Sequence, residues 1–220
     1  MKKSFLFIGL FTLILSTLIS AQYPVAYWKF DEGSGVTVFD ETENNNDGTI
    51  QGQATWTSDS VSGVALNLDG VYDKIFIGTP PSILFTEQVT LEAWVKRESN
   101  NDGTIIAKNG PYYLSINNNV IRGGVYANDG NCPTSCTTPG ANTWTYVNGV
   151  TNLQTGSWYK LKMTYDGSQI RVYVNDILEN SVSKIGEMPS VSQSLYLGWG
   201  EPGLDQYFNG ILDEVKVYGV

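Results

Sequence analysis

Alternation of apolar and polar residues, repeated in one short segment after another, is the feature that most constrains the fold of this chain. Residues 89–95, 159–165, 169–174 and 210–218 all show it. Because successive side chains of a β-strand point to opposite faces, a period of two predicts a strand with one buried face. After residue 21, no segment keeps the 3.6-residue apolar period of a helix through three turns. The pattern predicts an all-β, two-sheet antiparallel sandwich.

Turn-forming residues separate the alternating segments. Asp166-Gly167 lies between two of them, and runs rich in asparagine and glycine occupy residues 44–48, 100–103 and 117–119. Such residues favour tight turns and hairpins. The spacing predicts strands that pair with their sequence neighbours through short connections.

The first residues have the composition of an export signal. Lys2 and Lys3 precede an apolar stretch, and Ala21 offers a small residue for cleavage before Gln22. We therefore expect residues 1–21 to be a signal peptide, residues 22–220 to form one domain, and the product to be secreted, extracellular or held at the cell surface. The alternative is an uncleaved membrane anchor, although the apolar stretch is short for one.

The chain carries a formal net charge of −9, and removing the signal makes it two units more negative. Nucleic acids and anionic lipid surfaces require a positive patch, so neither is expected as a partner. After signal cleavage, no apolar run long enough to insert into a membrane remains. The acidic balance permits cation binding, and it also serves solubility.

The two cysteines lie close together in one long polar stretch, residues 127–142. In an oxidising compartment Cys132 and Cys136 are expected to form a local disulfide. Zinc is not expected, because a closed zinc site needs about four nitrogen or sulfur ligands and the chain has no histidine. Loops as long as 127–142 are often functional.

Segments spread along the chain resemble the laminin-G/concanavalin A-like jelly-roll superfamily. They are Ala-Tyr-Trp-Lys-Phe-Asp-Glu-Gly-Ser-Gly at 26–35, Ala-Leu-Asn-Leu-Asp-Gly at 65–70, the strand and turn at 158–167, and residues 208–218. The resemblance implies a jelly roll of two stacked antiparallel sheets. It also implies that the first and last strands are neighbours.

The resemblance further implies a structural calcium ion, built from the loop after the first strand and an acid on the last strand. The matching positions here are Asp31, Asn45, Asp47 and Asp213. Calcium accepts six to eight oxygen ligands in irregular loops, and a cation would relieve repulsion between neighbouring carboxylates. The alternative is that these residues form turns and that Asp213 pairs with a lysine.

Aromatic residues are abundant, with six tryptophans and thirteen tyrosines. Four of them occupy strand positions similar to those of the family core: Trp28, Trp94, Trp158 and Tyr165. Others flank the long loop or lie in a glycine-rich turn, where a large ring is less easily buried. With a nearby acid, these form the predicted ligand-binding set: Tyr126, Trp144, Tyr146, Trp199, Asp205 and Tyr207.

These features favour binding over catalysis. Aromatic faces stack on sugar rings, so the leading hypothesis is a non-catalytic, lectin-like or adhesive domain that binds a glycan. The alternative is a protein-interaction or structural domain whose partner is a cell-surface protein. A polysaccharide-degrading enzyme is a third hypothesis, which the sequence disfavours: histidine is absent, and so is the Glu-x-Asp-x-Glu run of related jelly-roll glycanases.

Overall fold

The computed structural model describes residues 23–128, 143–200 and 206–219. Regular structure in these ranges is almost entirely β, apart from one 3-10 turn at Pro81–Ile83. In the same ranges, no helix has both the length and the apolar character needed to cross a membrane. The predicted signal peptide at 1–21 lies outside the described residues, as do Cys132 and Cys136.

Sixteen strands are present in the described residues. In chain order they are β1 (Ala26–Trp28), β2 (Thr37–Val38), β3 (Gly48–Gln51), β4 (Thr55–Thr57), β5 (Ala65–Asp69), β6 (Lys74–Gly78), β7 (Val89–Arg97), β8 (Gly103–Lys108), β9 (Tyr112–Asn117), β10 (Val120–Ala127), β11 (Thr143–Asn148), β12 (Trp158–Tyr165), β13 (Gln169–Val174), β14 (Ile177–Ser183), β15 (Leu195–Leu197) and β16 (Asn209–Gly219).

The strands form two eight-stranded sheets. Sheet A has the order β14-β13-β12-β7-β16-β5-β4, with β1 also paired to β16, and sheet B has the order β11-β10-β9-β8-β15-β6-β3-β2. Every pairing between these strands is antiparallel. This arrangement confirms the predicted all-β, two-sheet antiparallel jelly-roll sandwich.

The first and last strands are neighbours, as the resemblance implied. Ala26 lies opposite Val217 in the β1–β16 pair, and the Val25 backbone N–H donates to the Val217 carbonyl at 2.8 Å. The short β1 therefore completes sheet A beside the longest strand, β16.

The core lies between the two sheets and is built from the inward residues of each alternating strand. Trp28 and Tyr112 are fully buried there, and the Trp28 indole N–H donates to the Asn46 carbonyl at 2.8 Å. At Gly123 of β10, an added Cβ would lie 2.5 Å from Met163 and 2.9 Å from Val172 on sheet A. The sheets therefore approach closely at β10, where glycine makes room.

Two of the four aromatic residues expected in the core lie elsewhere. Trp28 and Tyr165 are buried, but Trp94 and Trp158 are only partly buried on the outer face of sheet A. The Trp158 indole N–H donates to Asp59 at 3.1 Å. The alternation of β7 explains the error for Trp94, because its neighbours Ala93 and Val95 are the inward residues.

A β-bulge in β16 shifts the phase of the last strand. The sequence pattern places Asp213 on the same face as Val215 and Val217, but the register shifts between Asp213 and Lys216, and Glu214 has a φ of 51°. Asp213 therefore lies opposite Trp94 on the outer side, while Val215 and Val217 point into the core. The extra residue of a bulge reverses the alternation beyond it.

Candidate functional site

A row of residues runs across the strands of sheet B on its outer face. Neighbouring Cα partners in this row, from β6 through β15, β8, β9 and β10 to β11, are Phe76, Tyr196, Ala107, Tyr113, Gly124 and Tyr146. The residues on either side of Phe76 and Tyr196 in their strands are buried in the core. Because strand residues alternate, this row must face away from the core.

One half of this face is a continuous group of rings around an ammonium group, which we call the Lys74 cluster. Its members are Tyr72, Lys74, Phe76, Tyr196, Trp199 and Tyr207. Ring centroids are separated by 5.5 Å between Phe76 and Tyr196 and by 4.9 Å between Tyr196 and Trp199. Tyr207 continues the group, 6.0 Å from Trp199 and 5.8 Å from Tyr72. These edge-to-face and offset contacts are favourable aromatic geometries.

Lys74 lies at the centre of this cluster. Its Nζ is 4.3 Å from the Trp199 ring centroid, 5.7 Å from that of Tyr196 and 5.8 Å from that of Tyr207. Cations are attracted to the negative faces of aromatic rings at such distances. The ammonium group therefore fixes the positions of three rings without covering the exposed Phe76 and Tyr72.

The other half of the face is the Trp144 cluster, formed by Tyr113, Tyr126 and Trp144. The Trp144 ring centroid is 5.2 Å from that of Tyr113 and 5.5 Å from that of Tyr126. Gly124 makes this arrangement possible, because an added Cβ there would lie 2.3 Å from the Tyr113 ring. Of the three rings, Tyr113 is buried, whereas Trp144 and Tyr126 remain partly exposed.

Arg122 and Tyr146 lie beside the Trp144 cluster. The Arg122 guanidinium carbon is 4.4 Å from the Tyr146 ring centroid, and the Tyr146 side chain is exposed. The outer face of sheet B therefore offers partly exposed rings at both ends and a basic side chain within each half.

Five of the six predicted ligand-binding residues lie in or beside these two clusters: Tyr126, Trp144, Tyr146, Trp199 and Tyr207. Asp205 lies outside the described residues. Sequence reasoning missed Phe76, Tyr113 and Tyr196, which lie in regular strands. The available signal was that their strand neighbours are aliphatic or aromatic core residues, so the alternate position had to face outward.

Asp31 and Asp213, two of the predicted calcium ligands, both accept hydrogen bonds from the loop between β4 and β5. The Val64 N–H donates to Asp31 at 2.9 Å, while the Val61 and Ser62 N–H groups donate to Asp213 at 2.7 and 3.1 Å. These backbone N–H donors therefore stabilise part of the negative charge of the two carboxylates.

The second carboxylate oxygen of Asp213 is buried and has no hydrogen-bond partner within the described part of the chain. Burial raises the pKa of Asp213 to about 6, although the Ser62 and Val61 N–H groups act in the opposite direction. An unpaired buried carboxylate oxygen is unfavourable, so it would gain from a proton or a cation.

Asn45 and Asp47, the other two predicted ligands, belong to a different hydrogen-bond network. The Asn45 amide donates to the Glu43 carbonyl at 2.8 Å, and Asp47 accepts from the Asp40 N–H at 2.9 Å. Asp40 organises this loop, since its carboxylate accepts from the backbone N–H groups of Tyr27, Thr42 and Asn46. In residues 23–128, 143–200 and 206–219, no three Asp, Glu, His or Cys side chains form a group suited to a metal.

Solved structures with the same fold come from proteins of several kinds. Domain 4 of AbnA, a GH43 extracellular arabinanase from Geobacillus stearothermophilus solved in complex with arabinotriose, is similar with a TM-score of 0.65 and 21% identity, over 90% of this chain and 93% of that one. The binding domain of Paraclostridial Mosquitocidal Protein 1 gives a TM-score of 0.67 at 12% identity, over 89% of this chain and 48% of that one.

The receptor binding domain of botulinum neurotoxin C/D mosaic serotype is also similar, with a TM-score of 0.63 and 17% identity over 89% of this chain. It covers 47% of the toxin domain, so the chain spans about half the length of both toxin binding domains. At these identities the likeness shows the fold alone.

A family model supports the same assignment at the sequence level. No curated protein matches the chain. The model for the concanavalin A-like lectin/glucanases superfamily matches residues 69–220, which is more than half of the chain. The match begins at the end of β5, so the earlier strands join the fold through their pairing in sheets A and B. The chain therefore belongs to the concanavalin A-like lectin/glucanase superfamily.

Proposed function

We propose that this chain is a secreted, non-catalytic carbohydrate-binding domain whose ligand lies across the outer face of sheet B. The observation that carries the proposal is the cross-strand row, which brings the Lys74 and Trp144 clusters onto one face. Strands in a sheet are about 4.8 Å apart, so the row from β6 to β11 spans roughly 24 Å. That length suits a chain of several sugar rings.

Ring geometry supports stacking of sugars on this face. Trp144, Tyr126 and Trp199 are all partly exposed, and their contacts with neighbouring rings hold them in place. A rigid aromatic face loses little side-chain entropy when it binds, and aromatic rings present a large apolar surface. Between the two clusters, Ala107, Tyr113 and Gly124 are buried, so the exposed rings lie towards the two ends of the face.

The similar structures are consistent with this proposal. AbnA domain 4 was solved with a bound trisaccharide, and the toxin domains are described as binding or receptor-binding domains. The description of the neurotoxin domain as receptor-binding also favours the alternative partner, a cell-surface protein.

Binding to a panel of immobilised polysaccharides, measured with Trp199→Ala and Trp144→Ala variants, tests the proposal. Losing one packed aromatic anchor is expected to weaken binding at least tenfold. Trp158→Ala, on the outer face of sheet A, is the matched control and should bind like the parent. A panel without any binder, or equal loss in all three variants, would contradict the proposal. Capture of a protein partner that sugars do not displace would favour the alternative.

The non-catalytic part of the proposal rests on the distribution of acids. Hydrolysis of a glycosidic bond commonly needs two carboxylates that flank the scissile bond. The strands of sheet B, which form the proposed binding face, contain no Asp or Glu. Incubation with the bound polysaccharide should therefore release no reducing or unsaturated sugar, and sustained release would contradict this part of the proposal.

Export rests on the sequence of residues 1–21. Mass spectrometry of protein recovered from the culture medium should give a chain that begins at Gln22. Retention of the full chain in a membrane fraction would instead indicate an uncleaved anchor.

A further inference from the structure

Acidic side chains are unevenly distributed between the two sheets. The chain has 22 Asp and Glu residues against 13 Lys and Arg. None of the acids lies in the eight strands of sheet B, whereas the strands of sheet A contain Asp69, Glu92, Glu179, Asp213 and Glu214. One face of an acidic protein is therefore built from strands without negative charge.

Lys74 differs from the lysines on the outer face of sheet A. Those lysines all pair with a carboxylate, and they are Lys96, Lys160, Lys162 and Lys216. The Lys74 ammonium group lies over aromatic rings, and in the described part of the chain it has no carboxylate partner. The neighbouring Asp73 is buried and accepts instead from the Gln53 and Asp69 N–H groups at 2.5 and 2.9 Å.

A second cation lies farther along the same face. Arg122 is on β10, four strand positions from Lys74 on β6, which corresponds to roughly 19 Å. The side chain of Arg122 points outward, because its strand neighbours Ile121 and Gly123 face the core. Both cations therefore lie on the proposed carbohydrate-binding face, each beside stacked rings.

We infer that the ligand of this face is an acidic glycan, whose sugar rings stack on the aromatic side chains and one of whose carboxylate or sulfate groups pairs with Lys74. This inference rests on the proposed function and specifies its ligand. An ammonium group surrounded by rings interacts with an anion more strongly than one in bulk water, because the rings exclude solvent. The −9 charge of the chain repels acidic polymers generally, so they would be directed to the one face without acidic strands.

Two matched polysaccharide pairs test the inference. Polygalacturonate is compared with its methyl ester, and dextran sulfate with dextran, by tryptophan-fluorescence titration in a chelator-containing buffer that prevents calcium bridging. We expect at least one acidic member to bind tenfold or more tightly than its uncharged parent. Preference in the first pair indicates a carboxylate ligand, and preference in the second indicates a sulfate ester.

Lys74→Gln is the diagnostic variant, and Lys29→Gln is its control. Both substitutions remove one positive charge, but Lys29 pairs with Glu41 at 3.1 Å outside sheet B. Loss of a charge-assisted hydrogen bond predicts about tenfold weaker binding of the acidic glycan for Lys74→Gln, and little change for Lys29→Gln. Raising sodium chloride from about 0.05 to 0.5 M should weaken binding of the acidic member by the parent protein, because salt screens the attraction.

The outcomes separate this inference from the proposed function. Equal binding of both members of both pairs would overturn the acidic-glycan inference and leave carbohydrate binding intact. Equal losses in Lys74→Gln and Lys29→Gln would show a general charge effect and would also overturn the inference. No binding to any carbohydrate, in this or the wider panel, would overturn both.

Discussion

Gly63 occupies a position that other residues cannot take without strain. Its φ is +59°, and an added Cβ would lie 1.9 Å from the Asp31 carboxylate. Gly63→Ala should therefore displace the loop that bonds to Asp31 and Asp213, and lower the unfolding free energy by more than the 1–3 kcal/mol of backbone strain alone. Thermal or urea unfolding of the purified domain measures the change.

Gly156→Ala is the matched control for this substitution. Gly156 also has a positive φ, +75°, but an added Cβ would meet nothing within 4 Å. The control variant should show the strain cost only. Equal destabilisation by the two substitutions would mean that the contact between Gly63 and Asp31 is unimportant.

The buried carboxyl of Asp213 predicts a pH dependence of stability. Burial raises its pKa from 3.8 to about 6, so the folded state holds the proton more tightly than the unfolded state. The stabilisation that protonated Asp213 contributes to the folded state is complete below about pH 4 and is lost as the pH rises through 6. Asp213→Asn keeps an oxygen that accepts from Val61 and Ser62 but cannot titrate. Unfolding midpoints of the parent should fall relative to Asp213→Asn between pH 4 and 6, and parallel curves would refute this role of burial.

Calcium remains a proposal, and the unpaired buried oxygen of Asp213 is the atom that would gain most from a cation. A tightly bound ion should raise the unfolding midpoint, with about 2.7 kcal/mol of stabilisation when the free ion is a hundredfold above Kd. We expect chelator to lower the midpoint of the parent at pH 7 and to leave Asp213→Asn nearly unchanged. A parent midpoint that chelator does not move would rule out a tight structural site.

Sequence reasoning identified rings beside the long loop or in a glycine-rich turn, and it missed rings in strands that lack such a neighbour. Trp199 and Trp144 were predicted because they lie beside glycines or a long loop. Phe76 and Tyr196 lie in runs such as Lys-Ile-Phe-Ile-Gly, where every residue but the first resembles core. Only pairing with neighbouring strands shows that these rings share one face, and pairing is not encoded by any single segment.

Strand β10 contains two adjacent glycines, Gly123 and Gly124, which leave space on opposite faces of the sheet. Gly123 makes room for Met163 in the core, whereas Gly124 makes room for the Tyr113 ring on the outer face. Gly123→Ala should overpack the core and destabilise the domain by about 1–3 kcal/mol. Gly124→Ala should instead move Tyr113 against Trp144, changing the near-ultraviolet circular dichroism and weakening carbohydrate binding.

The two variants control for each other. Carbohydrate affinity of the folded Gly123→Ala domain should stay near that of the parent, since its Cβ points away from the rings. If Gly124→Ala bound as tightly as the parent, the Trp144 cluster would not be part of the binding face.

The long alternating strands were predictable from their period, whereas β2 was not. β7, β12, β13 and β16 are each at least six residues long and show a clear period of two. By contrast, β2 has only two residues, too few for any period to be visible. The bulge at Glu214 reversed the predicted side of Asp213, because a single extra residue leaves no mark in the pattern.

For the molecule as a whole, the two outer faces of the sandwich carry different kinds of side chain. The outer face of sheet A is occupied by paired charges, such as Lys160 with Glu92 at 3.3 Å. The outer face of sheet B carries the aromatic clusters. Under the proposed function, substitutions on the outer face of sheet B should alter carbohydrate binding while the ion pairs of the opposite face stay unchanged.

The pairing of β1 with β16 also determines how the domain is presented to its surroundings. Because Val25 and Val217 are hydrogen-bonded, the first and last described residues lie close together at one end of sheet A. A polypeptide stalk or a solid support joined at Tyr23 or Gly219 would therefore attach where β1 begins and β16 ends. Because the aromatic clusters lie on sheet B, attachment at this end of sheet A would leave them uncovered.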